Sequence, residues 1–467
     1  MGSNTRRIDM TRGPIAPGIV ALSWPLVVGN LLQTAYNLAD IYWGGRVGPE
    51  AVAAVSLMFP TSWLFISVAM GVTASTVALV SQHIGAGADR TAERVVAQSL
   101  LLSIVVATAL GSLGYVGRHP LLWALGAEGA VYREALAYAE VLFLSLPFTF
   151  IFFVFRSSLR GAGDTRTAMW LVVLSAGLNV VLDPIFILGW GPVDAMATQG
   201  AAVATLIARA VTALVGLAVL LDGRRGIRLR LSDLQIDTVL MRRVVTIGYP
   251  ATLDGLARSF AAVLLAAVIA RFGPIITAAY GIGLRLMSVS WTVSGAVGQA
   301  TATGVGQNLG AERPDRAATV TWWATAGTVV LLGGVSLAVL ASPRWFMRLF
   351  IADAAVIAEG VRMLRIVAPV WGVLGGLMVI QGAFRGAGRT RISMALSLVS
   401  RYAIRFPIGL VLAFPLGWGV TGMWLGLSIS GVGAFLLGIW WFRRGDWRQS
   451  VIESTPPPTV TDRAVDG

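Results

Sequence analysis

The chain has 467 residues, of which 56% are hydrophobic and only 13% charged, with a formal charge of +13; soluble domains carry roughly 25% charged residues. This balance excludes a soluble globular domain and reads as a polytopic membrane protein, with the positive charge a topology signal and not a nucleic-acid surface. All 36 basic residues are arginine, cysteine is absent and histidine occurs twice, which rules out a P-loop lysine, a Schiff-base amine, thiolate chemistry and a metal site built on His or Cys.

Stretches of about 20 apolar residues cross a hydrocarbon core as helix. They predict twelve spans, near 16–40, 51–80, 95–116, 134–157, 168–190, 198–221, 244–272, 276–306, 317–341, 357–383, 394–415 and 421–442. The first holds Pro25 and ends on Tyr36, Asn37 and Asp40, with Tyr36 and Asp40 one helical turn apart on one face. Tyr138 lies in the fourth. The fifth carries Asn179 and Asp183 one turn apart and then Pro184, which frees a backbone carbonyl as a ligand or hinge. Between spans six and seven, six arginines from Arg224 to Arg243 and no apolar run mark a linker. The seventh span has Asp254 and Arg258 spaced as an ion pair across one turn. Arg285 lies in the eighth, and the eleventh carries Arg401 and Arg405. Gly304 to Gly310 lacks the spacing of a dinucleotide loop. After Arg444 the chain loses apolar character and contains Pro456 to Pro458, so a disordered, dispensable tail is expected.

The chain is an internal duplication. Arg160-Gly161-Ala162-Gly163, followed by Thr165 and Arg166, recurs 225 positions on as Arg385-Gly386-Ala387-Gly388, followed by Thr390 and Arg391. The same offset joins Trp24-Pro25 to Tyr249-Pro250 and Gln82 to Gln307. Six spans per repeat return the chain to its starting side, so the halves share one orientation and are related by a twofold axis along the membrane normal. The expected organisation is an N-terminal segment 1–13, an N-lobe 14–221, a linker 222–243, a C-lobe 244–442 and a tail 443–467. Twenty-two arginines fall on the side that carries the termini and six in the opposite loops, which predicts cytoplasmic termini in an inner membrane.

Charges within spans are costly and mark functional sites. In the N-lobe, Asp40 and Asp183 with Asn179, Asn37, Tyr36 and Tyr138 form a set that can take up a proton or hold a bare Na⁺ through oxygen ligands. At the aligned positions the C-lobe has Leu265, Ile404 and Ile408. Its polar residues are instead Asp254, Arg258, Arg401 and Arg405, so coupling is expected in one lobe and other polar contacts in the other. The bland readings are a wetted helix end for Asp40 and a helix-packing hydrogen bond for Asp183.

Twelve spans in two parallel repeats, the doubled Arg-Gly-Ala-Gly-x-Thr-Arg signature and Gln82 to Ala86 resemble the multidrug and toxic compound extrusion (MATE) transporters, over about residues 14–442. Pro25 with Asp40 matches the family pattern, and Tyr36, Tyr138, Asn179 and Asp183 match the N-lobe cluster of its DinF-like branch. The resemblance implies a monomeric antiporter exporting amphipathic, cationic drugs, with Asp40, Asn179 and Asp183 as the coupling site, Pro25 and Pro184 as hinges, and no cofactor beyond H⁺ or Na⁺. Ala201 stands where some members have a threonine, with Thr198 and Thr205 as neighbours, which weakens sodium more than proton coupling. Arg258 stands where the NorM-like branch has an acid. Two rivals share parts of this pattern. In a lipid-linked precursor flippase, Arg401 and Arg405 would hold a pyrophosphate. An intramembrane enzyme would need the aspartate cluster around Mg²⁺ that the spans lack.

Overall fold

The computed structural model describes residues 7–191, 193–224 and 226–452, the side chains of Asp40, Ile41 and Leu231 excepted. The N-lobe comprises α1 (Ile15–Val47), α2 (Pro49–Gly85), α3 (Asp89–Val116), the short α4 (Arg118–Ala124), α5 (Gly129–Gly161), α6 (Thr165–Leu188) and α7 (Ala197–Asp222). In the C-lobe follow α8 (Thr238–Ala270), α9 (Pro274–Gly310), α10 (Pro314–Ala341), the short α11 (Pro343–Arg348), α12 (Ala354–Val367) running through a single 3₁₀ turn into α13 (Trp371–Gly386), α14 (Thr390–Leu398), α15 (Phe406–Ala413) and α16 (Val420–Arg444). The duplication is visible in the helix ends. Pro49–Gly85 recurs as Pro274–Gly310, Asp89–Val116 as Pro314–Ala341, and Gly129–Gly161 as α12 and α13 together, each displaced by the 225 positions that separate the sequence signatures.

Among the described residues, eleven helices or joined helix pairs are long and apolar enough to cross a membrane. The twelfth crossing is α9, whose Pro start and Gly end repeat those of α2 and which packs on α10 and α13. Exposed Val105, Leu113, Val116, Val330 and Leu337 give the outer surface the apolar face that lipid requires.

The signature turn is explained by its glycines. Gly163 and Gly388 sit at φ +89° and +73°, where a side chain is strained, and a Cβ on Gly386 would fall 2.1 Å from the carbonyl oxygen of Ala302. Its last residue also acts alike in both lobes. The Arg166 guanidinium sits 5.7 Å from the Trp24 ring and that of Arg391 5.5 Å from the Tyr249 ring, joining the two halves of each repeated motif by a cation–π contact.

The two lobes meet about a twofold axis. A Cβ on Gly85 would lie 1.9 Å from the carbonyl oxygen of Gln307, and one on Gly310 would lie 1.8 Å from that of Gln82. Residue contacts mate and mate contacts residue, the reciprocity that twofold symmetry demands. Ser81 and Gly306 are each other's repeat mates, and a Cβ on Gly306 would lie 1.8 Å from the Ser81 hydroxyl, so the axis passes between them. These contacts lie at the ends of α2 and α9 on the side that carries the termini, while Gly71 against Gly248 and Gly255 against Ser67 extend them to mid-depth. Every inter-lobe approach of a glycine among the described residues falls in that half. The bundle is closed on the terminal side.

Two segments strap this closed end. Met10 donates its N–H to Gln307 Oε1 at 2.9 Å, and Val451 donates its own to Gln82 Oε1 at 2.9 Å. Trp447, 1% exposed, stacks on Phe442 with ring centroids 4.3 Å apart. The expected disorder therefore does not begin at 443. Residues 446–452 are packed because a buried indole and a long-range backbone hydrogen bond hold them, and 453–467 lie outside the described residues. The linker is likewise held, by paired Arg90–Asp233 ion contacts, Arg94–Asp237 at 2.8 Å and Gln98 hydrogen bonds to the carbonyls of Asp233 and Gln235.

Candidate functional site

In the N-lobe, α1, α6 and α7 enclose a small pocket lined by Gln33, Tyr36, Ser175, Asn179, Thr205 and Arg209. Tyr138, Val55, Thr198, Ala201 and the same Thr205 line a second one beside it. Asn179 and Asp183, on successive turns of α6, are 2% and 0% exposed, so Asp183 is no wetted surface acid. The Asn179 amide donates to Thr205 Oγ1 at 3.1 Å. Pro25 and the buried Pro184 sit inside helices that continue through them. Asn37 is exposed on α1 and accepts from Gln33 Nε2 at 3.4 Å, outside both pockets. Asp40 belongs to α1, and its side chain lies outside the described residues.

Ala201 does line the second pocket where a threonine was missed. The Thr198 hydroxyl is hydrogen-bonded to Glu134. Thr205 is thus the hydroxyl that faces Asn179. The sequence reading also passed over Arg209, 8% exposed on α7 one turn beyond Thr205, with its guanidinium 4.2 Å from the Phe152 ring centroid. An arginine inside the apolar run 198–221 is the signal that marks it in the sequence. Arg156 lies within α5 and donates to Asn30 Oδ1 at 2.9 Å. Arg160 reaches across the lobes to Gln299 Oε1 at 2.5 Å.

The C-lobe gathers its charges around one carboxylate. Asp254, 4% exposed, meets Arg258 at 3.0 Å, Arg385 at 3.4 Å and Arg401 at 3.7 Å. The expected Asp254–Arg258 pair is present as one edge of a larger cluster, to which the signature arginine Arg385 adds a third helix. Arg401 also contacts the Ser397 hydroxyl, and Arg385 Nε reaches Ser393 Oγ at 3.2 Å. Arg405 contacts the Ser430 hydroxyl at 3.3 Å. Both Arg401 and Arg405 stand on a π-helical segment, Val399–Arg405, where the aligned stretch of α6 is ordinary α-helix. Arg285 is exposed on α9, away from this cluster's contacts. No group of three or more acidic, His or Cys side chains able to hold a metal occurs among the described residues.

Two parallel six-crossing lobes, closed at one end and carrying buried charges in each, define a two-lobed membrane transporter. Residues 25–185 and 250–411 each match the MatE family, the two matches beginning at the paired prolines Pro25 and Pro250. The chain belongs to the MatE family; it is a multi-pass membrane transporter and not an enzyme. It is 25% identical over 432 residues to the probable multidrug resistance protein YoeA of Bacillus subtilis, covering 92% of this chain and 93% of that one. With an FAD transporter of Shewanella oneidensis the identity is 28% over 436 residues, covering 93% and 95%. Among solved structures, an outward-facing multidrug resistance MATE transporter of the MOP superfamily superposes with TM-score 0.87 at 28% identity, covering 95% of this chain and 98% of that one. A MOP superfamily transporter from Pyrococcus furiosus, described as having a binding pocket of reversed polarity, gives TM-score 0.87 at 27% identity over the same shares.

Proposed function

We propose that the chain is a proton-coupled exporter of amphipathic xenobiotics, working by alternating access, with Asp40 and Asp183 as its coupling carboxylates. Relatives named as multidrug resistance proteins support drug export. The observation that carries the coupling assignment is the N-lobe pocket, where Tyr36, Asn179, Thr205 and Arg209 converge one turn from the fully buried Asp183. Two features of it favour H⁺ over Na⁺. Ala201 offers no oxygen, and the Thr198 hydroxyl is committed to Glu134. Protonation needs no ligand shell; it only neutralises a carboxylate.

In this reading the closed terminal side is cytoplasmic, as the arginine bias supports, and the state described is outward-open. Proton uptake at Asp183 and Asp40 changes N-lobe packing at Pro25 or Pro184 and releases cargo outward. A lipid-linked precursor flippase stays as a second reading because of the guanidiniums around Asp254.

The proton linkage is tested by adding substrate to purified protein in weak buffer with a pH dye. Substrate should displace protons from the native chain and none from the Asp40→Asn/Asp183→Asn double variant. Release that persists in the double variant, or that requires sodium, contradicts the assignment.

A further inference from the structure

We propose that the C-lobe holds an anion-binding subsite that takes the phosphate or carboxylate group of the transported molecule; the inference rests on the transport reading above and sets the charge of the cargo. Among the described residues, the guanidiniums of Arg258, Arg385 and Arg401 share a single carboxylate, Asp254, between α8, α13 and the π-helical segment, on which Arg405 follows four residues after Arg401. Their other partners are neutral, the hydroxyls of Ser393, Ser397 and Ser430 and the Ser397 carbonyl. Arg258 Nε is buried and has no hydrogen-bond partner among the described residues. Unbalanced positive charge at membrane depth is costly and points to a ligand that balances it. The side chains of Arg258, Arg385 and Arg401 keep 37%, 28% and 18% of their accessible surface, so the protein does not wholly enclose them.

The repeat gives an internal control. At the aligned N-lobe positions stand Gly29 for Asp254, Gln33 for Arg258, Ala176 for Arg401, Val180 for Arg405 and Thr205 for Ser430, while Arg385 keeps its guanidinium as Arg160. The same helix contact that holds an amide on a hydroxyl in the N-lobe, Asn179 to Thr205, holds a guanidinium on a hydroxyl in the C-lobe, Arg405 to Ser430. Three of the four guanidiniums, those of Arg258, Arg401 and Arg405, are thus peculiar to the C-lobe. Guanidinium forks match phosphate and carboxylate oxygens in pairs. An organic cation, the cargo implied by family resemblance, would instead enter against the surplus charge. The cargo that fits is an amphipathic molecule with an anionic head, from either a soluble compound or a lipid-linked precursor.

The test is a head-group series on one fluorescent dodecyl chain, ended in phosphate, carboxylate, hydroxyl or trimethylammonium, titrated against the full chain in phosphatidylcholine nanodiscs. The phosphate form should bind about tenfold or more tighter than the hydroxyl form, as expected for a charge-assisted contact, and the trimethylammonium form weakest. Arg405→Gln should bring phosphate and hydroxyl within about twofold, taking away the same charge-assisted contact; Arg258→Gln serves if that variant does not fold. Competition by soluble pyrophosphate assigns the head group to a free organic phosphate, and competition only by a polyprenyl diphosphate in the disc assigns it to a lipid. Equal affinities across the series, or preference for trimethylammonium, overturn the subsite. Gradient-driven export of the hydroxyl probe without head-group selectivity would reject the subsite and leave the transport reading standing. Selective binding without gradient-driven movement would do the reverse.

Discussion

Asp254 carries the C-lobe cluster, because among the described residues it is the acid that three arginines share. Removing one partner of a buried charge network leaves the others uncompensated, at about 3–5 kcal/mol in fully buried cases. Since Arg258 is partly exposed, Asp254→Asn is expected to lower stability by about 3 kcal/mol, the low end of that range. The loss would be read as a lower unfolding midpoint in detergent, largely restored by Arg258→Gln in the same chain because the two sites couple. An unchanged midpoint for Asp254→Asn would mean that the cluster does not bear on folding. At this scale the sequence was readable where a residue type breaks an apolar run. Asp183, Asn179, Asp254 and Arg258 were all found by that rule. Arg209 and Arg156 obeyed it too, but a search confined to acids in the N-lobe passed over them. Arg385 was legible as signature and not as site, since its partner Asp254 lies 131 positions earlier.

Among elements, α2 and α9 make the close inter-lobe contact on the terminal side. A side chain on the axis tests it: Gly306→Val places a Cβ 1.8 Å from the Ser81 hydroxyl, so it should hold the terminal ends of α2 and α9 apart and abolish transport, whereas full transport in Gly306→Val would show that this close approach is not needed. The straps give a sharper contrast. Truncation after Ile452 should leave export unchanged. Truncation after Arg444 removes the Val451 hydrogen bond and the Trp447 stack and should widen the distance between spin labels on α2 and α9. Equal behaviour of the two truncations would restore the view that the whole tail is dispensable. Helix ends were legible because the repeat prints each of them twice. The straps and the π-helical segment were not, because long-range hydrogen bonds and one extra residue in a turn leave no local periodicity to read.

For the whole molecule, duplication followed by divergence explains the division of labour. The shared backbone, from the Gly85–Gln307 and Gly310–Gln82 contacts to the paired cation–π contacts, builds two lobes that meet about one axis. The charged interior differs, with Asp183 and Asn179 near Arg209 in one lobe and Arg258, Arg385 and Arg401 around Asp254 in the other. The twofold architecture could be read from the 225-residue offset alone. The charge balance of the C-lobe could not, since it depends on which arginines the tertiary fold brings to Asp254 and which snorkel outward. The most direct measurement of proton-coupled export is movement of an amphipathic fluorescent substrate in proteoliposomes under an imposed proton gradient or an imposed sodium gradient, for the native chain and Asp183→Asn. Proton-driven transport that falls by tenfold or more in the variant, about 1.4 kcal/mol of lost coupling, is the expected result. Transport driven by sodium alone, or proton-driven transport undiminished in Asp183→Asn, would contradict it.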